Sequence, residues 1–322
     1  MAAAGGSNKV IYAALSGNLA IAVVKFGAAL FTGSSAMLSE GIHSVIDTGN
    51  QGLLLFGTWR AKRPPDRSHP FGYSAEIYFW SFLVAIMIFG VGAGVSFYQG
   101  VHRLQNPQPI ENTYLNMIVL VVSFFFEGFS WTVAVRELNA KRGKESFLAT
   151  VKRSKDPSVF TTFFEDSAAL LGLVVAFVGI ACAHWLGWEW ADPVASIVIA
   201  VVLAMTAILL AVEIKGLLTG EAALPEVVGV IREIVGSQDG IEEINEVRSL
   251  QLGPDNILLA VSADFRDTLS AADVERIIAT TEEALRLRFP QIGRVFIEAQ
   301  SRKDHERFEQ WARQKEQGTA SA

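Results

Sequence analysis

The stretch Gly33–Asn50, GSSAMLSEGIHSVIDTGN, decides how this chain reads. It opens an apolar segment running from Ala36 to about Thr58, long enough for a membrane-spanning helix, and it sets His43 and Asp47 inside that segment. Residues four apart lie on one face of a helix, one turn from each other. An imidazole and a carboxylate held in that way present a nitrogen and an oxygen to a single cation. In hydrocarbon such groups are costly and mark function by default. The stretch reads as half of a metal pathway.

Composition supports the membrane setting. The 322 residues are 51% hydrophobic and 19% charged, with a mean hydropathy of +0.33, too apolar for an ordinary soluble domain of this length. Charge is segregated: residues 1–59 hold no Arg and only Lys9 and Lys25, whereas the last hundred or so residues read as soluble sequence. The formal net charge of -6 argues against a nucleic-acid partner. A lone cysteine, Cys182, excludes an internal disulfide framework and reads as a small buried hydrophobe.

Six apolar segments follow one another: Val10–Phe31, Ala36–Thr58, Ile77–Val101, Tyr114–Val135, Val159–Trp185 and Pro193–Val212. The first is too long for a signal-peptide core and is expected to remain in the mature protein. The third is rich in glycine (Gly90, Gly92, Gly94, Gly100), which permits close helix packing. Basic residues crowd two connections, Arg60, Lys62, Arg63 and Arg67 after the second segment, and Arg136, Lys141, Arg142, Lys144, Lys152, Arg153 and Lys155 after the fourth. The opposite connections hold only Arg103. By the positive-inside rule both termini are expected in the cytoplasm, with Trp185, Trp188 and Trp190 as anchors at the outer interface.

Beyond Leu218 the pattern becomes that of a small soluble domain. Pro225–Val235 reads as a helix, Ile244–Leu252 and Ile257–Phe265 as strands around the turn GPDN, Ser270 as the cap of a second helix, and Arg294–Ala299 as a third strand. The expected fold is therefore an α-helical polytopic membrane protein: six transmembrane helices in 1–218, a cytoplasmic αββαβ domain in 219–300, and a polar tail in 301–322 that is expected to fray.

In the fifth segment Thr162 and Asp166 repeat the four-residue spacing of His43 and Asp47, and Glu165 points about 100° away from Asp166. If the second and fifth segments face each other, His43, Asp47 and Asp166 anchor one ion and Thr162 or a water supplies the fourth position, a set that suits zinc. One divalent cation, two aspartates and a neutral histidine sum to zero charge, the cheapest loaded state in a low dielectric. Once empty, the same groups take up protons. Lys25 and Glu127 read as residues paired with opposite charges on neighbouring helices, with snorkelling as the other reading for Lys25. Asn50 and Gln51 support either the ligands or the packing. No HExxH motif points to a metal-dependent hydrolase, and a compact ligand set differs from the polar rings of a channel.

The segments GSSAMLSEGIHSVIDTGNQ, HPFGY with Glu76, EDSAALLG and ADPVASI together resemble the cation diffusion facilitator family, and EDSAALLG resembles its branch containing a mitochondrial zinc transporter. The resemblance implies a homodimeric zinc/proton antiporter that moves divalent metal out of the cytoplasm by alternating access, with no resident cofactor and no enzymatic activity. It implies His43, Asp47 and Asp166 as transport ligands, and Asp66 and His69 as part of a secondary loop site. Thr162 stands where many members carry His or Asp, so that Glu165 or water completes the site. Tyr73 stands at a loop-ligand position, which favours HPFGY as a turn tethering the helices. With no Cys and no His before His305, the cytoplasmic domain is expected to lack binuclear zinc sites and to act as a dimer clamp. A bacterial cytoplasmic (inner) membrane is the expected location.

Overall fold

The computed structural model describes residues 4–107, 110–142, 150 and 153–320. Lys144 and Lys152, part of the basic loop above, lie outside the described residues. Internal contacts divide the chain between Leu218 and Thr219 into two compact units.

In the N-terminal unit the long helices are α1 (Ala4–Thr32), α2 (Ser35–Ala61), α3 (Glu76–Gln105), α4 (Thr113–Arg142), α5 (Pro157–Leu186) and α6 (Ala191–Leu218). Each expected segment lies inside one of them. Among the described residues four helices are long and apolar enough to cross a bilayer, namely α3, α4 over Thr113–Arg136, α5 and α6. The sequence expectation of six spans is thus only partly met by length and hydropathy. Among the described side chains of α1 the apolar stretch is Asn18–Thr32, and α2 is diluted by the polar side chains on its buried face.

That face explains the packing. Ser39, Glu40, His43, Ser44, Asp47 and Asn50 of α2 are all buried, while Val45, Phe56 and Trp59 point outward. The usual amphipathic pattern is inverted, as it must be where the outer solvent is lipid. α2 packs against α1, α3, α5 and α6, which places its polar face in the interior of the unit. The outward faces are apolar, with Phe125 and Phe129 of α4 exposed at 71% and 74%. Patches of that kind on a soluble protein would drive association; in a bilayer they meet acyl chains.

Two local devices fix the position of α2. Gly33, at φ +71°, takes the left-handed conformation that ends α1, and Ser34 then caps α2 by accepting from the Met37 amide at 3.1 Å. Asp192, in the first turn of α6, accepts from Ser34 Oγ (2.5 Å), Ser35 N (2.8 Å), Ser35 Oγ (2.6 Å) and Ala36 N (3.3 Å). A carboxylate at these amides satisfies donors that a helix start leaves open and complements its dipole. On the other side, α3 widens into a π-helical turn over Ile88–Ala93. Further along α3, a Cβ on Gly100 would stand 2.5 Å from Ile197 Cγ1 and 2.8 Å from the Pro193 carbonyl oxygen, so glycine there allows α3 and α6 to close up.

The C-terminal unit contains α7 (Pro225–Gly236), β1 (Ile241–Gly253), β2 (Asn256–Phe265), α8 (Ala271–Arg288), β3 (Ile292–Ala299) and α9 (Arg302–Ala320). β1 pairs antiparallel with β2 through Gly253–Asn256, and β2 pairs parallel with β3 across α8, in the order β1-β2-β3. Ile231, Val235, Leu259, Val261 and Leu285 form its buried centre. Ser270 and Asp273 make a full capping box. The tail expected to fray is instead the helix α9. Ser301 Oγ accepts from the Asp304 amide at its start, and Arg302–Glu306, Arg307–Asp304 and Arg313–Glu309 pairs at helical spacing run along it.

Candidate metal centre

His43 and Asp47 lie one turn apart on the buried face of α2, at 2% and 8% exposure, with His43 Nδ1 3.5 Å from Asp47 Oδ1. Neither ring nitrogen of His43, nor Asp47 Oδ1, has a hydrogen-bond partner among the described residues. Buried polar atoms are nearly always paired in a protein that folds around its own groups. Three orphaned donor atoms together, one imidazole and one carboxylate, match a site built for an ion. They are nitrogen and oxygen donors of the kind zinc accepts.

One turn further along α2, Asn50 Nδ2 donates to Glu165 Oε1 at 2.7 Å, which joins α2 to α5. Glu165 is buried at 5% exposure, and Thr161, one turn before it, is fully buried with an unpartnered hydroxyl oxygen. Asp166 turns toward α4 and accepts from Ser130 Oγ at 2.8 Å. The half-buried Thr162 donates its hydroxyl to the Ser158 carbonyl at 3.0 Å. The face of α5 bonded to α2 is therefore that of Thr161 and Glu165, and not that of Thr162. Helical spacing alone showed both faces of α5; it gave no sign of which one turns to α2. Of the pair Asn50 and Gln51, Asn50 is the one bonded to α5, and Gln51 is half-buried.

A second buried charged group adjoins this one. Lys25 of α1 pairs with Glu40 of α2 at 3.1 Å and approaches Glu127 of α4 at 3.9 Å. Pairing across helices was the expectation for Lys25 and Glu127. Glu40, the direct partner, was not singled out, although its place three residues before His43 puts it on the same helical face.

The loop pair behaves as a tether. Asp66 accepts from Tyr73 Oη (2.6 Å), Ser68 Oγ (2.7 Å), His69 N (2.7 Å) and Ser68 N (2.8 Å). The Tyr73 hydroxyl first, then the Ser68 hydroxyl and the His69 amide, hold its carboxyl well below the usual carboxylate range. A lowered value means that this loop order is complete above the ordinary Asp range and is lost only in strong acid, so it contributes no pH response near neutrality. His69 is half-exposed and lies against Tyr73, with ring centroids 4.1 Å apart and the planes tilted by 32°. Arg60 closes the loop through Glu76, with bonds of 2.7 and 2.6 Å.

Among the described residues, three His, Cys, Asp or Glu ligand atoms come within 4.8 Å of one another at one place, Glu246, His305 and Glu309 in the C-terminal unit. The His43 group is more open than that. Sequence reading gave no hint of this trio, because Glu246 lies on β1 and the other two on α9. A cation already sits there. Arg248 Nε donates to Glu246 Oε1 at 2.5 Å, and its guanidinium reaches Glu309 at 3.5 Å. Calorimetric titration of residues 219–322 with zinc is expected to show no micromolar stoichiometric site, since binding would have to displace that guanidinium. A clean micromolar isotherm would contradict this.

Comparison with known proteins completes the assignment. Residues 11–218 match the cation efflux transmembrane domain. The chain belongs to the cation efflux family. This cation diffusion facilitator is 34% identical over 286 residues to the human mitochondrial proton-coupled zinc antiporter SLC30A9, covering 86% of this chain and 50% of that protein. It is 30% identical over 261 residues to metal tolerance protein C4 of Arabidopsis thaliana, 80% of this chain and 57% of that one. It is also 30% identical over 208 residues to the metal cation efflux system protein CzcD of Cupriavidus metallidurans, 64% and 60% of the respective chains. The chain thus spans 50% of the length of the human relative, and the resemblance read from EDSAALLG to the mitochondrial zinc transporter type holds across the greater part of this facilitator.

Proposed function

We propose that this facilitator exports a divalent metal cation, zinc first, from the cytoplasm in exchange for protons, by alternating access around His43 and Asp47. The observation that carries the reading is the set of unpartnered atoms on these two residues, buried beside the Asn50–Glu165 bond and the Ser130–Asp166 bond. Metal requires these groups deprotonated, so exchange against protons follows from the ligand types. The same reading takes α1 and α2 as spans with the other four, puts both termini on the cytoplasmic side of a membrane such as the bacterial inner membrane, and treats the C-terminal unit as the clamp of a homodimer. Proteoliposomes containing the protein and an internal pH dye are the test. Zinc entry is expected to move protons the other way, and zinc flux that leaves lumenal pH unchanged would exclude exchange.

Glu165 is the proposed fourth ligand, in place of Thr162. Its bond to Asn50 already brings it to α2, whereas the hydroxyl of Thr162 is spent on its own helix. Glu165→Gln is expected to weaken zinc binding about 10-fold or more, the scale on which metal sites lose affinity when a supporting or ligating group is changed. Thr162→His is expected to leave affinity nearly unchanged. Competition binding on both variants decides between them; tighter zinc binding in Thr162→His would restore Thr162 to the site.

A second cargo reading follows from the same donors. With Glu165 included, the set is one imidazole and three carboxylates, and carboxylates also suit manganese and iron. Uptake of zinc against manganese, iron and cobalt in the same liposomes orders them.

A further inference from the structure

Lys25 is fully buried, and its ammonium is surrounded by oxygens from two other helices. Nζ donates to Ser44 Oγ at 2.8 Å and to Glu40 Oε2 at 3.1 Å, both on α2, and stands 3.9 Å from Glu127 Oε1 on α4. Ser44 adjoins His43 in sequence, and Glu40, His43, Ser44 and Asp47 are all buried on α2. The other oxygen of Glu40, Oε1, is buried with no hydrogen-bond partner among the described residues. It rests against Gly172 of α5, where a Cβ of any other residue would collide with it.

Holding α1 to α2 does not require this arrangement. A buried ion pair gives back in desolvation most of what it gains by attraction, and a well-packed apolar pair would serve at least as well. Nor does one ammonium need two carboxylates. Two carboxylates and a hydroxyl converging on one point form an oxygen cage of the kind that hard divalent cations occupy. The cage lies on the same face of α2 as the transport ligands.

We propose that Lys25 is a built-in cation filling a second ion position beside the His43–Asp47 site, so that the membrane unit takes one divalent ion where its carboxylates could hold two. This rests on the reading of His43 and Asp47 as the transport site. The tethered ammonium withdraws Glu40 and Glu127 from the cargo and confines it to Asp47, Glu165 and Asp166. A second divalent ion so near the first would repel it and remain behind on the spare carboxylates; an ammonium anchored to α1 occupies that place permanently with half the charge.

The experiment counts ions. Full-length protein in detergent is dialysed to equilibrium against zinc, and separately manganese, and the metal per protomer is measured by elemental analysis. Lys25→Met is expected to bind one more ion per protomer than the parent, while Lys25→Arg and the double variant Lys25→Met/Glu40→Gln are expected to match the parent. Folded Lys25→Met with the parent's count would overturn the proposal and leave Lys25 as a strut, as would an extra ion in Lys25→Arg. If Lys25→Met is recovered folded only when zinc or manganese is present during purification, the ion has replaced the ammonium as proposed. Failure of either metal to restore it overturns the proposal. Asp47→Ala in the parent background separates the two readings, since an unchanged count there refutes the transport site itself, whatever Lys25→Met shows.

Discussion

Asp47→Ala is expected to reduce zinc transport in proteoliposomes by about 100-fold or more, because losing one partner of a buried charge interaction costs about 3–5 kcal/mol, with each 1.4 kcal/mol worth a factor of ten. Asp47 is 8% exposed, and its Oδ1 has no hydrogen-bond partner among the described residues. It contributes little to the fold that the variant would lose, so the variant is expected to elute as the parent does on size-exclusion chromatography. Asp166→Ala is expected to act in the same direction but to free Ser130 as well, since that hydroxyl donates to it. A rate near the parent's for Asp47→Ala would remove α2 from the ion path.

Asp192→Ala has the largest expected effect on stability. The carboxylate accepts two backbone amides and two hydroxyls at the start of α2, and all of these groups are buried. Each buried donor left without a partner costs about 1–3 kcal/mol, so several together are expected to lower stability by about 3 kcal/mol or more. Asp192→Asn keeps the shape and one acceptor but turns an amide N–H toward other donors, so it is expected to fall between the two. Thermal unfolding in detergent measures both. An Asp192→Ala midpoint equal to the parent's would mean that the start of α2 is held by its own Ser34 cap.

What could be read from the sequence follows from which interactions are local. Helices long enough to span were visible as apolar runs, and the capping box at Ser270 was visible because its partners are three residues apart. His43 and Asp47 stood out for the same reason. The inter-helix bonds could not be read. Nothing local says that Asn50 meets Glu165 across 115 positions, or that Ser130 meets Asp166, so spacing alone leaves the fourth position open between Thr162, Glu165 and a water. The tail was judged by its polarity, while its charge pairs at helical spacing favour α9. The π-helical turn in α3 lies among glycines, but glycine also serves close packing, as Gly100 does against α6, so composition alone does not mark the turn.

The inverted face of α2 bears on how the protein is made. An Asp or Lys near the centre of a lone segment costs about 2.5–3.5 kcal/mol in insertion by the translocon. α2 carries both Glu40 and Asp47 on its buried face, and α1 carries Lys25. Neither helix is suited to enter the lipid alone. With only Gly33 and Ser34 between them, they form a tight hairpin in which Lys25 meets Glu40 and Ser44. Within the six-span reading, the unit of membrane integration is therefore this pair, inserted together while still sheltered by the insertion machinery.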